Sequence, residues 1–275
     1  MTIFDEMVAD LNPQTSVDKA NARHEVMQQI ALSGLQRGGF FEHAAFYGGT
    51  CLRIFYGLRR FSEDMDFTLI GKNLNVHLED FFPDIVEAFK LTGREVEIKK
   101  KAKKSFGKVE SAFLKDNTDV YDISFKTEKS IKVKIELDTD PPLGLETEQK
   151  LLLKPFSFMV RCVALPGLFA GKMHALVFRN WQNRVKGRDW YDFEWYVANK
   201  VPLDFTHLQR RIQEFNGKEL TQDEFISSLK DRLASADMDM VKQDVLRFLR
   251  TDPHSLDIWS KEYFLQLADR IAYRI

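Results

Sequence analysis

The chain has 275 residues, 44% of them hydrophobic and 29% charged, a balance that supports a packed core and argues against general disorder. Forty Lys and Arg face 41 Asp and Glu, leaving a net charge of −1; this excludes a histone-like polycation but leaves room for a local basic groove. The two cysteines, Cys51 and Cys162, lack CxxC or zinc-type spacing, which argues against a disulfide framework or a structural zinc. No run approaches the ~18 apolar residues of a membrane span. Met1 to Asn12 carries Asp5, Glu6 and Asp10 and no basic stretch ahead of an apolar one, so no signal peptide is expected and the expected location is the cytoplasm, with no membrane partner.

In chain order, Val17 to Arg37 has helical periodicity, with Val26, Ile30 and Leu35 facing inward and Gly38-Gly39 as the stop. Phe40 to Leu58 is apolar and broken by Gly48-Gly49, which predicts a strand end or turn feeding a helix that starts near Thr50. Phe61 to Ile70 reads as a strand, Met65, Phe67 and Leu69 alternating with Asp64, Asp66 and Thr68. Leu78 to Leu91 reads as a helix ending at Gly93. Glu95 to Leu137 reads as β-rich, with Val120 to Phe125 as one candidate strand. Its clearest period-two run has Ile131, Val133, Ile135 and Leu137 alternating with Lys132, Lys134, Glu136 and Asp138. From Leu165 the texture is helical: Pro166 suits a first helical turn of a segment reaching about Trp181, and Asp189 to Asn199 is the next helix. The expected fold class is therefore α+β, a mixed-sheet α/β half over residues 1–145 followed by an α-helical half over 146–275.

Thirteen residues separate Thr50 from Asp64. On a strand Asp64 and Asp66 share one face, roughly 7 Å apart, where two carboxylates can share divalent cations such as magnesium. The glycine turn ahead of a helix offers backbone N–H groups to a phosphate. An isolated Gly-Gly is most often a turn, and an isolated Asp-x-Asp most often a solvated strand edge; together, in this order and at this spacing, they become informative. Lys172 and Arg179, seven apart, share a helix face, and two cations suit a triphosphate. Asp189 and Asp192 stand at a helix start, where capping is the alternative reading, especially for Asp192. Lys99-Lys100-Lys101-Ala102-Lys103-Lys104 contains no acid and is either a solvated loop or a contact to an RNA backbone, with Phe106 nearby as a base-stacking candidate. His174 and the cluster Trp190, Tyr191, Phe193, Trp195 and Tyr196 read as packing, and Cys51 as a small buried residue.

Gly-Gly, a short helix and Asp-x-Asp resemble the signature of the DNA polymerase β-like nucleotidyltransferase superfamily. The stretch from Gly48-Gly49-Thr50-Cys51-Leu52-Arg53 to Arg60-Phe61-Ser62-Glu63-Asp64-Met65-Asp66-Phe67 is similar to the first motif of the AbiEii/MenT group of toxin nucleotidyltransferases, with Thr50 where the wider superfamily more often has Ser. Lys134-Ile135-Glu136 resembles the group's Lys-hydrophobic-Glu stretch, which selects Glu136 as third acid with Asp138 as fallback. Lys172 to Arg179 and Arg188-Asp189 to Asp192 resemble its Lys-x-x-Ala-Leu-x-x-Arg and Arg-Asp-x-x-Asp helices. The resemblance covers about Phe40 to Asn199. It implies a nucleotidyltransferase fold and a toxin paired with an antitoxin protein. It also implies magnesium-dependent transfer of a nucleotide from an NTP to RNA, with the acceptor end of tRNA as the expected target. Asp64, Asp66 and Glu136 would hold two magnesium ions; Gly48, Gly49, Thr50, Ser62, Arg60, Arg188 and Lys172 would bind phosphates; Lys172 and Asp189 would join the acids in catalysis. The rivals are a small-molecule nucleotidyltransferase of aminoglycoside-modifying type, which needs an acidic acceptor pocket, and a non-catalytic nucleotide-binding module.

Overall fold

The computed structural model describes residues 1–71, 75–101, 118–127, 131–179, 185–249 and 253–274. Lys103, Lys104 and Phe106 of the basic segment, and Trp181 and Arg184, lie outside them. The chain divides into two units: residues 1–51, 62–143 and 147–162 form the first, and residues 52–61, 144–146 and 163–275 the second. No helix among the described residues is long and apolar enough to cross a membrane.

The first unit opens with two helices that begin on capping boxes. Thr2 and Asp5 cap α1 (Ile3–Asp10), and Thr15 and Asp18 cap α2 (Ser16–Arg37). In each, the threonine hydroxyl accepts the N–H three residues on and the aspartate accepts the threonine N–H, satisfying donors the helix leaves open. The α1 helix, too short to show a clear period, was not expected from sequence. The expected helix over 78–91 divides into a 3-10 turn at Leu78–Phe81 and α4 (Phe82–Leu91). Pro83 enters at the first turn of α4, where its missing N–H costs nothing. At Gly34 α2 comes so close to α4 that a Cβ would lie 2.5 Å from Ile85 Cα, which accounts for a glycine inside a helix.

Among the described residues seven strands make one mixed sheet: β1 (Ala44–Tyr47), β2 (Asp64–Leu69), β3 (Val96–Lys100), β4 (Thr118–Phe125), β5 (Lys132–Asp138), β6 (Thr147–Leu152) and β7 (Phe158–Val163). Their order across the sheet is β3-β4-β5-β2-β1-β7-β6. The β2 strand runs antiparallel to β1 and parallel to β5, whereas β4 runs antiparallel to both β3 and β5. Side chains alternate across a strand, and the register aligns Met65 with Ile135 and Phe67 with Leu137. Those four, with Tyr121, Ile123 and Val133, are at most 1% exposed and form the core face, which α2 meets at β5 and α4 at β3. Phe67 lies 5.2 Å from Phe40 edge-on and 5.0 Å from Phe46 stacked, so the high phenylalanine content fills this core, each ring adding roughly 1.5–3 kcal/mol by burial. The opposite face carries Asp64, Asp66, Lys134 and Glu136. The strands β6 and β7, beyond the expected boundary at 145, belong to this sheet, β7 lying parallel to β1 with Phe46 opposite Cys162.

Between β1 and β2, α3 (Gly48–Tyr56) starts at Gly48 itself, two residues before the expected Thr50. In the second unit α5 (Leu165–Phe178), α6 (Gly187–Ala198), α7 (Phe205–Asn216), α8 (Gln222–Ser235), α9 (Met238–Leu246) and α10 (Lys261–Ala268) follow one another. Trp190, Phe193 and Tyr196 are at most 1% exposed, and Tyr196 stacks on Phe169 at 4.5 Å. The aromatic cluster of α6 is therefore helix packing, as its spacing predicts.

Candidate active site

The first constellation stands on the open face of the sheet. Parallel pairing of β2 with β5 sets Asp64 opposite Lys134 and Asp66 opposite Glu136. Adjacent strands lie about 4.8 Å apart, so three acids expected from separate segments share one patch. Asp138 falls opposite Thr68, one step farther along, and its carboxylate accepts the Asp140 N–H at 3.1 Å.

The Gly48 turn abuts this patch. Gly48 has φ +81°, a region L side chains avoid, and a Cβ there would sit 2.5 Å from Asp66 Oδ2. Glycine is thus required both by the backbone and by the carboxylate resting on it. Thr50 and Ser62, 0% and 6% exposed, turn inward: their hydroxyl oxygens are 2.9 Å apart and Thr50 also bonds the Asp64 carbonyl oxygen. Both hydroxyls tie the start of β2 to the start of α3.

Lys134 Nζ lies 2.5 Å from Glu136 Oε1 and 3.5 Å from Asp64 Oδ2. Burial would lower its pKa, but the two carboxylates outweigh burial and raise it, so this lysine stays protonated and gathers both acids. Among the described residues no three His, Cys, Asp or Glu side chains converge as ligands on one point; the Lys134 ammonium holds two of the acids instead. Aligned carboxylate oxygens are nevertheless the donor type magnesium prefers, and an ammonium between two carboxylates marks where a cation is favoured. The residues present fit a magnesium site.

The second constellation belongs to the helical unit. Lys172 of α5 reaches Asp189 at 2.7 Å and Asp192 at 2.8 Å, both on α6, and Arg179 stands 3.6 Å from Asp189. Arg60, 3% exposed, grips Asp192 with Nε and Nη2, both at 2.6 Å, and donates to the Phe61 carbonyl at 3.0 Å. Burial would raise the pKa of both aspartates, but Lys172 with Arg179 for Asp189, and Arg60 with Lys172 for Asp192, hold them below the usual carboxylate range. Asp192 is accordingly an ion-pair anchor and not a helix cap. Burial, helped by Arg179 and Arg188, brings Lys186 down to about 8. The Arg188 guanidinium lies over the Phe248 ring, 4.2 Å from its centroid.

The described lysines of the basic run sit in exposed ion pairs: Lys99 with Glu97, Lys100 with Glu79 and Asp119, Lys101 with Asp122. His174 is buried with Nε2 2.9 Å from Asn216 Oδ1, and burial lowers its pKa to about 3; it packs, as expected. Cys51 is buried, its thiol pushed up by burial and by Cys162 beside it. Sequence reasoning did not anticipate the Lys134 bridge or the pairing of Arg60 with Asp192; the one available signal was Lys134 two residues ahead of Glu136 on the same strand face.

The geometry therefore offers paired acids beside a glycine turn at a helix start, and a half-buried lysine held by two aspartates. No curated protein matches the chain. Two of the solved structures that share its fold are as follows. JHP933 from Helicobacter pylori is 20% identical over 90% of this chain and 88% of its own, with a TM-score of 0.50. MenT4, nucleotidyltransferase toxin Rv2826c from Mycobacterium tuberculosis H37Rv, is 15% identical over 96% and 99%, with a TM-score of 0.53. The family model described as "Nucleotidyl transferase AbiEii toxin, Type IV TA system" matches residues 30–267. The chain belongs to this family of nucleotidyl transfer enzymes, toxins of type IV toxin–antitoxin systems.

Proposed function

We propose that this enzyme transfers a nucleotidyl group from an NTP to RNA, at the acceptor end of tRNA, in a magnesium-dependent reaction of the cytoplasm, and that an antitoxin restrains it. The observation that carries the reading is the register of Asp66 with Glu136 beside the Gly48 turn. Asp64, Asp66 and Glu136 would hold two magnesium ions, which supply charge neutralisation at the triphosphate and a more acidic acceptor hydroxyl. The backbone N–H groups of Gly48, Gly49 and Thr50 at the start of α3 bind triphosphate oxygens. The acceptor oxygen attacks the α-phosphorus, forming one P–O bond as the bond to pyrophosphate breaks, and Glu136 takes the hydroxyl proton. Lys172, oriented by Asp189 and Asp192, stabilises charge on the departing pyrophosphate. Arg60 acts through Asp192, which it holds in place, and Arg188 supports the phosphates.

The test incubates purified protein and magnesium with each labelled NTP and either total bacterial RNA or a panel of aminoglycosides. Label entering RNA, and absent with Asp64→Asn, supports the proposal; label entering only the aminoglycosides moves the assignment to the small-molecule class. Neutralising Lys99, Lys100, Lys101, Lys103 and Lys104 together should flatten the salt dependence of RNA binding by about 0.7 in log–log slope for each single-strand phosphate no longer neutralised. An unchanged slope returns that run to an ordinary solvated face.

A further inference from the structure

The α2 helix lies against the core face of the sheet, yet two of its buried residues one turn apart are polar: Gln28 is 0% and His24 9% exposed. Gln28 Nε2 donates to the carbonyl oxygens of Ser62 and Glu63, each at 3.0 Å. His24 Nε2 lies 2.8 Å from the Lys132 carbonyl oxygen; a carbonyl only accepts, so the proton is on Nε2. The next carbonyl along, that of Asp64, bonds the Thr50 hydroxyl. Three successive carbonyls leading into the Asp-x-Asp strand are thus each met by a side chain. Carrying the parallel register of β2 and β5 two residues back sets Lys132 beside Ser62, so Gln28 and His24 grip the entries of both acid-bearing strands at one level. Among the described residues Gln28 Oε1 has no hydrogen-bond partner, a burial cost that an apolar side chain of similar size would not carry.

We propose that Gln28 and His24 are positioning residues that set β2 against β5, and with it the placement of Asp64 and Asp66 relative to Glu136. The inference rests on the reading that these acids hold divalent cations. Magnesium-type sites demand near-ideal geometry, and loss of groups that orient ligands commonly costs about 10–100-fold in affinity. Neither residue touches substrate; each acts through the backbone.

The experiment measures manganese(II) affinity of the full chain by calorimetry, with circular dichroism and thermal melts alongside. Gln28→Met keeps the volume but loses both donors and is expected to weaken manganese binding about tenfold or more. His24→Gln, which retains a donor, stays near wild type, whereas His24→Leu falls with Gln28→Met. Ile30→Val trims the core on the same helix and lowers Tm without changing affinity. Wild-type affinity in both Gln28→Met and His24→Leu overturns the inference, as does an equal loss in Ile30→Val. If Gln28→Met does not fold, the contrast between His24→Gln and His24→Leu decides alone. Manganese binding that is absent from wild type, or that survives Asp64→Asn, overturns the site reading itself.

Discussion

Replacing Asp192 by alanine separates two accounts of that residue by magnitude. As a helix cap its loss would cost about 1 kcal/mol. The structure instead shows Asp192 fully buried, bonded twice by Arg60 at 2.6 Å and once by Lys172 at 2.8 Å. Charges about 4 Å apart attract by about 4 kcal/mol at an effective dielectric of 20. Removing one partner of such a pair leaves an uncompensated buried charge, for a loss of about 3–5 kcal/mol. Lys172 keeps Asp189 at 2.7 Å, so the orphan is Arg60, whose remaining side-chain hydrogen bond among the described residues goes to the Phe61 carbonyl, with Asp189 acting on it through charge alone. At about 2–4 °C per kcal/mol for a chain near this size, Tm should fall by about 10 °C. Differential scanning calorimetry and urea titration of wild type, Asp192→Leu, Arg60→Met and the double variant Arg60→Met/Asp192→Leu close a cycle, with Asp192→Ala measured beside it. The double variant should recover most of the loss, because an apolar pair carries no desolvated charge. A loss of about 1 kcal/mol in Asp192→Ala, or additive effects in the cycle, would refute the anchoring role.

Three further outcomes follow from the same geometry. Gly48→Ala should abolish transfer while leaving a folded protein, since the new Cβ would displace the Asp66 carboxylate 2.5 Å away and the backbone sits at φ +81°; activity above about a tenth of wild type in a labelled-NTP assay would contradict the importance of that close approach. Glu136→Gln should cost several orders of magnitude in rate and Asp138→Asn much less, because register pairs Glu136 and not Asp138 with Asp66; single-turnover rates showing the reverse ranking would move the third acid. Asp189 and Asp192 have folded pKa values held below the usual carboxylate range by Lys172, Arg179 and Arg60 against burial. The unfolded chain, at about 3.9, therefore takes up protons first. Their stabilisation is complete above that value and is lost as pH falls through the folded values. Tm measured from pH 5 to pH 2 should drop less steeply in Asp192→Asn than in wild type; equal slopes would contradict the linkage.

Local signals in the sequence were enough for much of the site. The alternation of Met65, Phe67 and Leu69 with Asp64 and Asp66 places the carboxylates on a strand's polar face because the side-chain period is two, and β2 spans Asp64–Leu69. Pro166 stands in the first turn of α5, as its fixed φ and absent N–H dictate. Where local patterns were weak the elements were not legible: β6, Thr-Glu-Gln-Lys-Leu-Leu, shows no run of β-branched or aromatic residues, and it is a strand because the sheet offers it a partner in β7.

The sequence by itself determined which residues carry charge, that Gly38-Gly39 stops the α2 helix, and that two aspartates share a strand face. Those properties depend on neighbours within a turn or a pleat, a few residues apart. The resemblance selected Glu136 over Asp138, but only the tertiary structure set Glu136 beside Asp66, since strand register is fixed by pairing between segments about seventy residues apart and a slip of two residues would keep the same face yet put Asp138 there instead. Likewise the partner of Arg60 is Asp192, 132 positions away. A guanidinium and a carboxylate can be buried together only when long-range packing brings them within hydrogen-bond reach, because either one alone in the core would carry the full cost of its lost hydration.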